Sequence, residues 1–184
     1  MRIFITGGGG FLGRYIVRML VKRGDQVTTF SRNRYEHLSS LDVKQVVGDI
    51  NDYDKLSHEL RHHDAIIHLA SKVGIWGDYD SYRKVNLDGT MNVIKAALEC
   101  EIEKVVYTST PSVVFDGKPH SAIDERKGYS KKFYCAYQKS KMLAEEAILL
   151  ANSANLATVA IRPHLVWGPE DNNLIPRLIA RAKA

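Results

Sequence analysis

The apolar positions of the chain fall into two registers that alternate from end to end. Short runs at residues 2–6, 26–30, 43–47, 65–69, 104–108 and 157–161 are rich in Val and Ile with few polar breaks, which predicts strands buried on both faces. Between them, residues 11–22, 52–60, 79–99 and 133–152 repeat their apolar positions at helical spacing. In 79–99, for example, Val85, Val93, Ala96 and Ala97 oppose Arg83, Asn86, Asp88 and Lys95. This alternation predicts an α/β fold, a doubly wound parallel sheet with helices on both faces. Such sheets bind ligands beyond the carboxyl ends of their strands, where the strand order reverses, so the residues just after each strand hold the functional information.

The first strand runs into Thr6-Gly7-Gly8-Gly9-Gly10-Phe11-Leu12-Gly13, which spaces Gly7, Gly10 and Gly13 three apart at the start of a helix. Glycines there permit a tight turn and close backbone approach to a pyrophosphate, whose charge meets the amides and positive dipole end of the helix. With a strand before and a helix after, the turn predicts a Rossmann-like dinucleotide site rather than a merely flexible connection. The second strand ends Thr29-Phe30-Ser31-Arg32-Asn33-Arg34, without the acid that takes the ribose hydroxyls where NAD is preferred. Ser31 and Arg32, assisted by Arg34, favour a 2′-phosphate and hence NADP(H), with NAD(H) the second choice; the same arginines also suit a solvated loop. After the third strand, Asp49 suits either a hydrogen bond from the adenine amine or a cap on the following helix.

The fifth strand ends Thr108-Ser109-Thr110-Pro111-Ser112, and hydroxyls at that edge suit a substrate carbonyl oxygen. Farther on, Tyr137 and Lys141 stand one helical turn apart on one face. An ammonium beside a phenol lowers its pKa from about 10 and equips it to give and take a proton. Alone, the pair fits an ordinary solvated helix face equally well; the glycine loop upstream gives it weight.

Composition adds limits. With 184 residues, 45% of them hydrophobic, the chain can bury the core of one domain, and no linker divides it. The formal charge of +5 is spread among acids without a long like-charge block, so a nucleotide phosphate suffices as the anion and no nucleic acid is expected. Cys100 and Cys135 match no metal or disulfide spacing and read as reduced thiols. Without a signal-peptide apolar region or an apolar run of about 18 residues, a soluble cytoplasmic protein with no membrane span is expected. His58-Glu59-Leu60-Arg61-His62 spells a zinc-peptidase pattern, yet Leu56 and Leu60 would face the sheet and turn both histidines outward, so no metal is predicted. Lys131, Lys132, Lys139 and Lys141 interleaved with Phe133, Tyr134 and Tyr137 imitate a nucleic-acid patch, and the catalytic reading is preferred there.

Taken in order with His68-Leu69-Ala70, Asn86, Gly89-Thr90-Met91-Asn92-Val93, Arg162-Pro163 and Trp167-Gly168-Pro169, these motifs resemble the extended short-chain dehydrogenase/reductases over nearly the whole chain. The runs that begin at Lys72, Pro111 and Arg162 resemble the branch related to 3β-hydroxysteroid dehydrogenases, and within it the bacterial 2-alkyl-3-oxoalkanoate reductases. The resemblance implies Tyr137 as general acid/base and Lys141 as the group that lowers its pKa while binding the nicotinamide ribose. Thr110 would orient the substrate oxygen, with Ser109 its second choice, and Asn86 would support a water and proton path. Gly7, Gly10, Phe11, Leu12, Gly13, Ser31, Arg32, Asp49, Ile50, Leu69, Ala70, Ser109 and Pro163 would join Tyr137 and Lys141 against the cofactor. The implied reaction is NADPH-dependent reduction of a hydrophobic β-keto acid bearing two long alkyl chains, or of a steroid-like ketone, or the reverse oxidation. A homodimer through helices 79–99 and 133–152 is implied as well.

Members of that family run on into a smaller substrate-binding domain. Residues 1–184 are therefore expected to be the NAD(P)-binding domain of a longer protein, whose apolar stripe at 173–182 is covered by that second domain. Two other readings remain: an NAD-dependent sugar-nucleotide epimerase or dehydratase, against which Ser31-Arg32 argues, and a non-catalytic dinucleotide-binding regulator or inactive fragment.

Overall fold

The computed structural model describes residues 1–171 and 174–183. Along the chain come β1 (Arg2–Thr6), α1 (Phe11–Arg23), β2 (Gln26–Ser31), the one-turn α2 (Glu36–Ser39), β3 (Val43–Val47), α3 (Tyr53–Leu60), β4 (Ala65–His68) and α4 (Tyr79–Tyr82). Next come a π-helical segment (Arg83–Asp88), α5 (Gly89–Glu99), β5 (Lys104–Thr108), a 3₁₀ turn (Pro111–Val114), α6 (Ala136–Leu150), β6 (Ala157–Ile161) and α7 (Leu174–Ala182). The strands form one parallel sheet in the order β3-β2-β1-β4-β5-β6. The order reverses between β1 and β4, so the connections leaving their carboxyl ends diverge and open a crevice.

The two-residue period of a strand sorts the core. On β1, Phe4 packs with Leu56 and Leu60 of α3, Val93 and Ala97 of α5 and Ile148 of α6. Its neighbours Ile3 and Ile5 point the other way, onto Val17 and Leu20 of α1. Helices thus lie on both faces. The edge strands differ from the expectation of burial on both sides: Val159 and Ile161 of β6 are 48% and 50% exposed. A strand with one neighbour and a helix on one face only cannot bury both rows of side chains.

Helix ends follow local chemistry. Gly24 closes α1 at φ +89°, its N–H reaching the carbonyls of Leu20 and Val21. Asp52 stands before α3 as its cap, accepting from the Lys55 N–H at 3.2 Å. The helix expected over 79–99 is interrupted by the π segment, and that expected over 133–152 begins only at Ala136. Of the closing apolar stripe, Asn173 lies outside the described residues, while Leu174–Ala182 form a helix with no buried side chain.

Candidate active site

The glycine loop is built by contact. Gly7 adopts φ +74°, and a Cβ there would lie 2.9 Å from the Ala70 nitrogen. A Cβ on Gly13 would lie 2.5 Å from the Gly7 carbonyl oxygen, so α1 sits against the loop as closely as a backbone can. The Gly7 N–H donates to Phe30 and the Gly10 N–H to Gly7, each at 3.0 Å. Phe11 and Leu12 open α1, with the Phe11 ring edge-on to Tyr15.

A groove of about 660 Å³ runs from this loop across the strand ends. Gly7, Gly10, Ser31, Arg32, Asp49, Ile50, Leu69 and Ala70 line it, whereas Phe11, Leu12, Gly13 and the exposed Arg34 are outside the lining. The Ser31 hydroxyl is buried without a hydrogen-bond partner among the described residues. Asp49 accepts from the backbone and side-chain nitrogens of Asn51 at 2.8 and 2.9 Å; those bonds hold its carboxyl below the usual range, helped by Arg32 and Lys84.

Beyond β5 lies a second set of groups. Lys141 is 2% exposed; its Nζ donates to the Thr108 carbonyl at 2.6 Å and stands 4.1 Å from the centre of the Tyr107 ring. Burial pushes its pKa down to about 7, and Glu145, one turn on, opposes that fall. Tyr137 lies one turn earlier. Its pKa is raised by burial, with Thr110 at its side pulling the other way. The expected lowering of the phenol by Lys141 is not what this arrangement produces: the ammonium is aimed at a carbonyl and a ring, and desolvation governs both groups. Thr110 caps the 3₁₀ turn by accepting from the Ser112 N–H at 3.3 Å, and the buried Ser109 hydroxyl has no hydrogen-bond partner among the described residues.

Asn86 joins the two sets. Its amide donates to the Lys72 carbonyl (3.0 Å) and to the Ser140 hydroxyl (2.9 Å), and its oxygen accepts from the Lys72 N–H (2.7 Å) and the Ser71 hydroxyl (3.1 Å). Ser71 and Lys72 line the groove and Ser140 belongs to α6, so the amide braces α6 against the groove wall. All four of its hydrogen-bonding positions are thereby engaged by protein. Tyr137, Lys141, Ser109, Thr110 and Pro163 stand outside the groove lining. Pro163 follows Arg162, whose Nε and Nη2 donate to the buried Glu145 carboxylate at 3.0 and 2.5 Å.

Some residues of the site carried no signal of their own in the sequence. Tyr35 lies so close to the loop that a Cβ on Gly9 would collide with its ring. Lys72, in the groove wall, donates to Ser81 at 2.5 Å. Glu145 is different, since it continues the Tyr137–Lys141 spacing by one more turn, a signal the sequence did contain. The zinc-like histidines part company: His58 is on α3, whereas His62 lies beyond its end at φ +67°.

The chain is 44% identical over 187 residues to the 2-alkyl-3-oxoalkanoate reductase of Shewanella oneidensis, covering 98% of the chain and 48% of that protein. It is 45% identical over 190 residues to the 2-alkyl-3-oxoalkanoate reductase of Stenotrophomonas maltophilia, covering 100% of the chain and 56% of that protein. The chain thus spans about half the length of the curated relatives it matches. Among solved structures, the Bordetella bronchiseptica enzyme WbmH in complex with NAD+ shares the fold at a TM-score of 0.87 and 24% identity, over 99% of this chain and 62% of that one. The model of the 3-beta hydroxysteroid dehydrogenase/isomerase family matches residues 4–184, and the chain belongs to that family.

Proposed function

We propose that the chain is the dinucleotide-binding, proton-supplying domain of an NADP(H)-dependent oxidoreductase that interconverts a ketone and a secondary alcohol. The observation that carries this reading is Tyr137, at the start of α6, beside Thr110, which follows β5, and one turn from the buried Lys141. The residues present suit a dinucleotide: the loop has no room for side chains at Gly7 and Gly13, and the groove offers the unpartnered Ser31 hydroxyl beside Arg32. The nicotinamide, when bound, supplies or accepts the hydride.

The remaining work falls to the chain. Gly7, Gly10 and Gly13 admit the pyrophosphate, Ser31 and Arg32 receive the 2′-phosphate, and Asp49 and Ile50 lie where the adenine would rest. Phe11, Leu12, Leu69, Ala70 and Pro163 complete the cofactor's surroundings, and Lys141 holds the nicotinamide ribose. Thr110, with Ser109 behind it, orients the substrate oxygen, Tyr137 donates its phenolic proton to that oxygen in reduction, and Asn86 keeps α6 in place. Because burial raises the Tyr137 pKa, the phenol stays protonated through neutral pH. Reduction is then expected to proceed at neutral pH and oxidation to quicken as pH rises.

The names of the two bacterial relatives favour a 2-alkyl-3-oxoalkanoate as substrate, and the reading takes a long-chain one. The reading includes a cytoplasmic homodimer, supported by the exposed Met91 and Leu98 on α5 and Leu149 and Leu150 on α6; sedimentation would measure it. Among the described residues no helix is long and apolar enough to cross a membrane.

The test is a pair of substitutions. Tyr137→Phe should bind NADPH nearly as the parent does and lose turnover by roughly 100-fold or more, since the proton donor is gone. Arg32→Ala should weaken NADPH more than NADH in a fluorescence titration. An unchanged rate in the first, or equal losses in the second, would remove the corresponding assignment.

A further inference from the structure

We propose that Thr6, His68 and Thr90 form a buried hydrogen-bonded spine that sets the glycine loop and the Tyr137 helix in place relative to each other, with His68 as a positioning residue. The proposal rests on the oxidoreductase reading for its catalytic consequence and on geometry alone for its existence. The Ala70 N–H donates to Thr6 Oγ1 at 3.2 Å, and Thr6 Oγ1 lies 2.7 Å from His68 Nδ1. His68 Nε2 lies 2.9 Å from Thr90 Oγ1, which donates to the Asn86 carbonyl at 2.6 Å. Asn86 Nδ2 then donates to Ser140, and Ser140 to the Tyr137 carbonyl, each at 2.9 Å.

Only one arrangement of protons satisfies this chain. A hydroxyl has a single hydrogen, and that of Thr90 goes to a carbonyl, which can only accept. Thr90 Oγ1 must therefore accept from an Nε2–H, leaving Nδ1 bare to accept the hydroxyl hydrogen of Thr6. Thr6, His68 and Thr90 are all 0% exposed, so no solvent competes for these bonds. Burial also pushes the ring's pKa down to about 3, which keeps it neutral. The spine begins where Gly7 meets Ala70 and ends on the backbone of Tyr137. It spans the two groups whose spacing governs transfer, and displacements of about 1 Å can cost on the order of 100-fold in rate.

Thr90→Val cuts the spine at nearly constant volume, and Thr90→Ser restores it. Thr90→Val should keep NADPH affinity within about threefold and lose about tenfold or more in kcat with little change in KM, while Thr90→Ser recovers most of the loss. A Thr90→Val enzyme with the parent's kcat, or a Thr90→Ser enzyme as slow as it, would overturn the proposal. Nitrogen-15 NMR of the histidine rings judges the spine without any turnover. In the parent, His68 should be a neutral Nε2–H tautomer from pH 5 to 8, and Thr90→Val should erode that preference. An Nδ1–H tautomer or a charged ring at pH 6 in the parent overturns the spine even if catalysis is as proposed. A parent that shows the Nε2–H ring yet reduces no ketone with NADPH refutes the reaction and leaves the spine standing.

Discussion

At Lys141 an ammonium is held out of water against the Thr108 carbonyl and the Tyr107 ring, and its proton is correspondingly loose. The consequence for stability has a definite sign. With a folded pKa of about 7 and an ordinary value of 10.5, the unfolded chain binds the extra proton between those limits, so this residue makes stability rise with pH across that window. Lys141→Met should therefore raise the urea midpoint most at pH 6.5, with the gain shrinking as pH rises toward 10; a constant difference across that range would contradict the burial. His68 acts at the other end of the scale. Its folded pKa of about 3 against an ordinary 6.5 means that stability should fall as pH drops from 6.5 toward 3, and a thermal melt series in that range would show it. Tyr137, Lys141 and the glycines were singled out by their spacing, and Thr110 by resemblance. Their electrostatics were not legible in the sequence, since a pKa depends on what buries a group and that comes from other elements.

Among elements, the junction of β1 and α1 leaves no room for a side chain at Gly13. An alanine at position 13 would place its methyl group 2.5 Å from the Gly7 carbonyl oxygen, which only a shift of α1 can relieve. Gly13→Ala should cost about 1–3 kcal/mol of stability and weaken dinucleotide binding at least tenfold, read by urea denaturation and fluorescence titration. Strand identities followed from short Val- and Ile-rich runs and the main helices from 3.6-residue spacing, and the strand bounds predicted for β1, β3, β5 and β6 coincide with those found. The π segment at Arg83–Asp88 did not announce itself. The apolar pattern of 79–99 runs through it unbroken, and within the wider turn Asn86 reaches the Lys72 backbone on one side and Ser140 on the other.

At the scale of the whole molecule, a buried ion pair ties α6 to the segment after β6. Glu145 on α6 is 1% exposed, receives Arg162 from beyond β6, and accepts from the Tyr129 hydroxyl at 3.1 Å. Glu145→Gln leaves a guanidinium without its counter-charge and should cost about 3 kcal/mol in urea denaturation, because the partner left behind is already desolvated. A loss below about 1 kcal/mol would show that water reaches Arg162 freely. The sequence by itself determined the order of strands and helices, the glycine loop and the chemical types at the strand ends, since these rest on periodicity and on residues a few positions apart. The tertiary structure alone decided that Thr6, His68, Thr90 and Asn86 meet, that Lys141 points at Thr108, and that one row of β6 stays uncovered by the described residues. Those contacts join residues far apart in the chain, and no local pattern encodes the sheet order that brings β1 beside β4 and packs α5 and α6 on one face of the sheet.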